Sequence, residues 1–121
     1  IGLNNNSDIN NSYNTGNITG SREYAGGIIG HDYNNSNVNN SYNTGSIIGS
    51  NRTGGITGHT SYTSNINNSY NTGDITGASF VGGITGLNSI YSNINNSYNT
   101  GNISNSWSYI GGISGYCGTH S

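Results

Sequence analysis

The chain contains no lysine, no proline and no methionine, and a single cysteine in 121 residues. Arg22 and Arg52 are its only cations besides histidine, so it cannot assemble the clustered basic patch that nucleic-acid binding requires. One cysteine, Cys117, permits no internal disulfide. It reads as a small buried residue near the C-terminus, with an intermolecular tether as the functional alternative. No run is long and apolar enough to span a bilayer, so membrane insertion is not expected. No signal-peptide pattern is visible and the chain opens on Ile1, which reads as a mature or excised piece. Hydrophobic residues make up 29% of the chain, little for a globular core. Disorder would follow from that alone. The net charge of only −2 and the fixed positions of the apolar residues argue against it.

What the chain does have is a repeat. Asn65 to Gly77 reads N-I-N-N-S-Y-N-T-G-D-I-T-G, and near copies run from Asp8 to Gly20, Asn37 to Gly49 and Asn93 to Ser104. The tyrosines fall at Tyr13, Tyr42, Tyr70 and Tyr98, in steps of 29, 28 and 28. A Gly-Gly-Ile word follows each copy, at Gly26, Gly54, Gly82 and Gly111. A fixed period of this length means stacked units in one domain spanning residues 1–121.

Each unit has three apolar positions, nine or ten residues apart: Ile9, Ile18 and Ile28, then Val38, Ile47 and Ile56, then Ile66, Ile75 and Ile84, then Ile94, Ile103 and Ile113. That spacing is too sparse for an amphipathic helix. It fits three short strands per turn, each sending one β-branched side chain inward. The expected fold is all-β: a three-sided parallel β-solenoid (β-helix), about 28 residues per rung, four rungs, roughly 20 Å tall. Ile47, Ile56, Ile66, Ile75 and Ile84 should be buried. Gly and Asn at the corners would supply left-handed backbone. Identical residues should stack, with tyrosines in one column. Asn11, Asn40, Asn68 and Asn96 should form another, a buried amide ladder that satisfies itself from rung to rung. Scarcity of charge also follows, because in-register stacking sets like charges about 5 Å apart. Asp8 should stack on Asn37, and Asp74 between Ser46 and Asn102.

The words Gly-Gly-Ile-x-Gly and Ile-x-Asn-Ser-Tyr-x-Thr-Gly-x-Ile-x-Gly together resemble the GLUG motif. The likeness runs from Gly26 through Gly115, with the Asp8 to Gly20 copy before it; Ile replaces the commoner Leu or Val, and Asn is enriched. The resemblance implies a β-solenoid region of a secreted or cell-surface protein of bacterial or archaeal type, large adhesins included. The motif brings no catalytic residue with it.

Candidate sites are few. The acids Asp8, Glu23, Asp32 and Asp74 do not pair, so neither a carboxylate pair for hydrolysis nor a calcium repeat is formed. His31 and His59 should stack on adjacent rungs with Asp32 beside the first, but the same column holds Leu3, Leu87 and Tyr116, which reads as packing. Zinc needs three or four ligands. Cys117 with His120 is only a pair. No nucleophile-elbow or phosphate-loop motif is present. The expectation is no catalytic residue, no metal and no cofactor.

Upstream of each Gly-Gly stand Tyr24, Arg52, Phe80 and Tyr109, with Trp107 nearby. They read as a local stack with Arg52 between aromatics, or as an exposed platform for surface glycans. Asn10, Asn39, Asn67 and Asn95 each begin an N-N-S sequon and are glycosylation candidates. Thr15, Thr44, Thr72 and Thr100 form a regular column that raises ice binding, although no second Thr lies two residues away. The leading functional expectation is a non-catalytic extracellular or cell-surface structural protein, a stalk or filament whose solenoid ends self-associate head to tail. The competing expectation is an adhesin or other binding module.

Overall fold

All three apolar positions of the repeat turn inward. In the computed structural model, which describes residues 1–119, Val38, Ile47, Ile56, Ile66 and Ile84 have 0% exposure and Ile75 1%. Around them winds an all-β solenoid of about four turns, with no helix among the described residues. The first turn runs through β1 (Leu3–Asn5), β2 (Asp8–Asn10), β3 (Tyr13–Asn14), β4 (Ile18–Thr19) and β5 (Tyr24–Gly26). The next strand, β6 (Ile29–Tyr33), pairs in parallel with β1, Leu3 opposite His31. Repetition builds five parallel sheets, one of five strands and four of four. Tyr70 lies opposite Tyr42 and Tyr98, and Ile75 opposite Ile47 and Ile103.

Each turn thus holds five strand segments where the apolar spacing predicts three. The Ile and Val positions mark β2, β4 and the Gly-Gly corner. β1 and β3 send Asn4 and Asn14 inward, and the β5 position is filled by Ala25, Thr53 and Val81 in successive turns. Polar and small inward residues leave no hydrophobic signal.

The amide ladder is real but sits three residues from its expected place. Asn11, Asn40, Asn68 and Asn96 are exposed corner residues with φ between 47° and 51°. The buried ladder is Asn14, Asn43, Asn71 and Asn99. Nδ2 of Asn14, Asn43 and Asn71 donates to the Oδ1 of the next turn at 2.7 Å, and all four donate to the carbonyl two residues on. Both amide hydrogens are used, so burial of Asn43 and Asn71 at 0% exposure leaves no unmet donor. Ser41, Ser69 and Ser97 accept backbone N–H groups from the turn before in the same way. An interior rich in polar side chains, most of them bonded to one another or to the backbone, explains how 29% hydrophobic residues suffice.

The glycines do not serve left-handed corners. None of the described glycines has a positive φ; asparagines take most of those positions. The glycines instead allow contact between backbones. A Cβ on Gly54 would lie 2.1 Å from Thr57 O, and one on Gly55 would lie 2.2 Å from Gly83 O and 2.5 Å from Asn71 Cβ. The Asn ladder therefore butts against Gly27, Gly55 and Gly83, the second glycine of the first three Gly-Gly words. The main apolar cluster holds Ile28, Ile29, Val38, Ile56, Ile66 and Ile84. Ile47 and Ile75 lie outside it.

One corner carries strain. Asn34 and Asn35 have φ of 61° and 54°, and the same corner in later turns is built from Tyr62 and Thr63 (55° and 61°) and from Ile90 and Tyr91 (53° and 58°). Left-handed backbone costs a β-branched residue about 1–2 kcal/mol more than it costs Asn or Gly. Thr63 is exposed. Thr63→Asn, which copies the second turn, is expected to stabilise the chain by about 1 kcal/mol in thermal unfolding.

Candidate functional site

Tyr24, Arg52 and Phe80 fall in register across neighbouring turns, and Tyr109 continues the column. The Arg52 guanidinium carbon lies 5.2 Å from the Tyr24 ring and 5.8 Å from the Phe80 ring, and Phe80 stacks on Tyr109 at 5.0 Å. Arg52 Nε and Nη1 are buried with no hydrogen-bond partner among the described residues, and Glu23 Oε1 stands 3.8 Å away, beyond bonding reach. The two ring faces replace water around the cation. Four of the five platform residues therefore come together, but they spend their faces on one another. Trp107 stays outside the stack, 81% exposed.

Across the Gly-Gly corner, His31 and His59 stack at 4.6 Å and 7°, with Tyr24 over His31 at 4.9 Å. Their Nε2 atoms pair with Ser61 Oγ and Ser89 Oγ at 3.0 and 2.9 Å. Burial, then the neighbouring His31, then Arg52 lower the His59 ring to about 3; burial and Arg52 lower His31 as well. A base whose folded pKa is depressed binds fewer protons folded than unfolded, so stability is lost as pH falls below about 6.5. Leu3 and Leu87 occupy the same column. His59→Leu is expected to gain on the wild type by about 3 kcal/mol as pH drops from 7 to 4, read from denaturant unfolding at each pH.

The opposite flank is broader than its sequence indicates. Tyr13, Tyr42, Tyr70 and Tyr98 stack at 5.0–5.4 Å within 10° of parallel. From Ser69 to Gly77 exposure alternates strictly, so Tyr70, Thr72, Asp74 and Thr76 share one outward face. With the equivalent residues of the other turns they make a grid four residues wide. The Thr column thus has hydroxyl neighbours four residues on, at Thr19, Thr76 and Ser104, and Ile48 in the second turn. Asp74 Oδ1 accepts Asn102 N–H and Nδ2 at 2.9 and 3.1 Å, and Asp8 Oδ1 does the same for Asn37 at 3.1 and 2.7 Å. No acid stacks on an acid in these columns.

The sequon column is also a ladder. Nδ2 of Asn39, Asn67 and Asn95 donates to Oδ1 of Asn10, Asn39 and Asn67 at 2.9, 2.9 and 3.0 Å. A glycan on any of these three would replace a ladder donor, whereas Asn10 Nδ2 donates to no described residue.

Three hollows, of about 520, 450 and 280 Å³, open at the two solenoid ends. Their linings include Ile1, Ile18 and Tyr24 at one end and Ile94 and Ile113 at the other. Cys117 is exposed where burial was expected. Its suggested partner His120 lies outside the described residues. Among those residues no three His, Cys, Asp or Glu side chains gather as metal ligands.

These features define a parallel β-solenoid repeat protein. No protein-family model matches the chain, and no curated protein or solved structure shows significant similarity to it.

Proposed function

We propose that the chain is a non-catalytic structural module of a cell surface or extracellular filament, a rod whose turns continue into further turns of the same kind. The observation that carries this reading is the contrast between flanks and ends. On the flanks, ring faces and side-chain amides are spent on neighbours in the same column. At the ends the columns that neighbouring turns cover further in lie bare: Leu3 is 61% exposed, Tyr13 65%, Tyr98 52% and Ile113 39%. A further turn of the same sequence, in this chain or a second copy, would bury them. The likeness of the repeat to the GLUG motif supports a place outside the cell.

The ladders also favour one orientation. The inner amides donate from Asn14 toward Asn99, and the outer ones from Asn95 toward Asn10. Head-to-tail stacking of a second copy sets donor against acceptor in both ladders; head-to-head stacking sets like against like. Such a contact does not close and propagates into a fibre. Electron microscopy and light scattering of the purified chain test this. Fibres or oligomers that grow with concentration are expected, and a concentration-independent monomer would overturn the self-assembly.

The outward grid of Thr and Tyr hydroxyls favours a second reading, a binding module for glycans or ice. Glycan-array binding or thermal hysteresis that is lost on Thr72→Val would support it over the structural one.

A further inference from the structure

Asp32 is the only acidic or basic side chain among the described residues with 0% exposure. It points inward from β6, in a column with Asn4, Thr60 and Asn88. Asn4 Nδ2 donates to Asp32 Oδ1 at 2.9 Å. Asp32 Oδ2 is buried and has no hydrogen-bond partner among the described residues. An acceptor left bare inside a protein is costly and needs a reason.

The corresponding corners of other turns supply one. In the first turn, Asn4 Nδ2 also donates to Ser7 O at 2.7 Å; in the fourth, Asn88 Nδ2 donates to Ser92 O at 2.8 Å. Ser7, Ser36 and Ser92 hold the same place, each just before the strand that carries the Ile9, Val38 or Ile94 position. The second-turn counterpart of these bonds would join Asp32 to Ser36 O. A carboxylate has no hydrogen to offer that carbonyl.

We propose that at acidic pH folded Asp32 is a neutral carboxylic acid whose Oδ2–H takes the role of the missing amide hydrogen and closes the Tyr33–Ser36 corner onto Ser36 O, an acid-held latch in the second turn. The groups around it suit a neutral acid. Asn4 from β1 is a neutral donor. Asp8 from β2 is a like charge. Thr60 Oγ1 in the next turn is paired with Thr57 Oγ1 at 2.6 Å, and Ser36 Oγ donates to Tyr33 O at 2.7 Å. His31, its neighbour in sequence, and Arg52 are engaged on the outer face with Tyr24.

Burial pushes the carboxyl up to about 6; the Asn4 hydrogen bond opposes the rise and the Asp8 charge adds to it. An acid whose folded pKa exceeds its unfolded value of about 3.9 binds its proton more tightly when folded. The latch is then fully held below about pH 4 and released as pH rises through about 6. Two units correspond to about 100-fold in the unfolding equilibrium.

The test titrates the whole chain by NMR, following the Asp32 side-chain carboxyl carbon and the amides of Asn34, Asn35 and Ser36. A shared midpoint near pH 6 is expected, and an Asp32 midpoint at or below about 4 would overturn the latch, whatever any variant does. In parallel, Asp32→Asn supplies a permanent N–H. Its unfolding equilibrium should match wild type at pH 4 and favour the folded state by about 100-fold over wild type at pH 8. Because the histidines are common to both chains, their contribution cancels in this comparison. A variant less stable than wild type at pH 8, or one with an unchanged pH dependence, would also overturn the proposal.

Discussion

Ile75→Asp is expected to abolish folding at neutral pH, whereas Thr76→Asp, one residue on, should change stability by less than about 1 kcal/mol. Ile75 is 1% exposed and lies in register between Ile47 and Ile103. Replacing it removes a buried side chain worth about 2–5 kcal/mol and leaves a carboxyl with no donor among the apolar side chains of its column. A chain this size has about 5–15 kcal/mol of total stability to lose. Thr76 points outward and makes only an exposed hydroxyl contact with Ser104 at 3.1 Å. Circular dichroism and denaturant melts of both variants read the difference, and equal tolerance would mean that the strand faces are in the opposite phase.

Gly55→Ala should cost about 3 kcal/mol or more, although it adds a single methyl. That methyl would lie 2.2 Å from Gly83 O and 2.5 Å from the Asn71 side chain. The spacing of these two turns is set beside that contact by Ile56 N–H and Thr57 N–H, which donate to Ile84 O at 2.9 and 3.0 Å, and Asn71 is held by the two hydrogen bonds it donates. Gly112 holds the same place in the motif, yet a Cβ there would meet nothing within 4 Å. Gly112→Ala is therefore the matched control, expected to be neutral in the isolated chain. Similar losses for both variants would point to backbone freedom rather than contact as the reason for the glycine.

The contrast between those glycines shows what the sequence could and could not convey. Period and register were legible, because an exact repeat can only stack in register. The inward phase of Ile75 was legible from its chemistry. The phase of the asparagines was not: in Asn68-Ser69-Tyr70-Asn71, either Asn suits a corner or a ladder, and only the path of the chain assigns Asn68 to the corner and Asn71 to the interior. The glycines were read as left-handed corner residues because close backbone contact depends on segments a full turn apart. Arg52 between aromatics followed from register alone. The outward grid was partly hidden because Gly73 looked like the end of a face when its neighbours Thr72 and Asp74 lie on the same side. Asp32 was the least legible. In sequence it counted only as an unpaired acid beside His31, and nothing local reveals that β6 sends it inward to a place two other turns give to asparagine.

The 28-residue turn has a mechanical consequence. Drawn straight, 28 residues reach about 90–100 Å, yet wound into the solenoid they advance the axis by only about 4.8 Å. Each turn is a spool of stored contour length, held closed by the backbone ladder, the Asn amides and the tyrosine stack acting together. Tension applied between the two ends of the polypeptide would pay out that length one coil at a time, so the molecule would lengthen under load by discrete steps of about 9 nm rather than snapping.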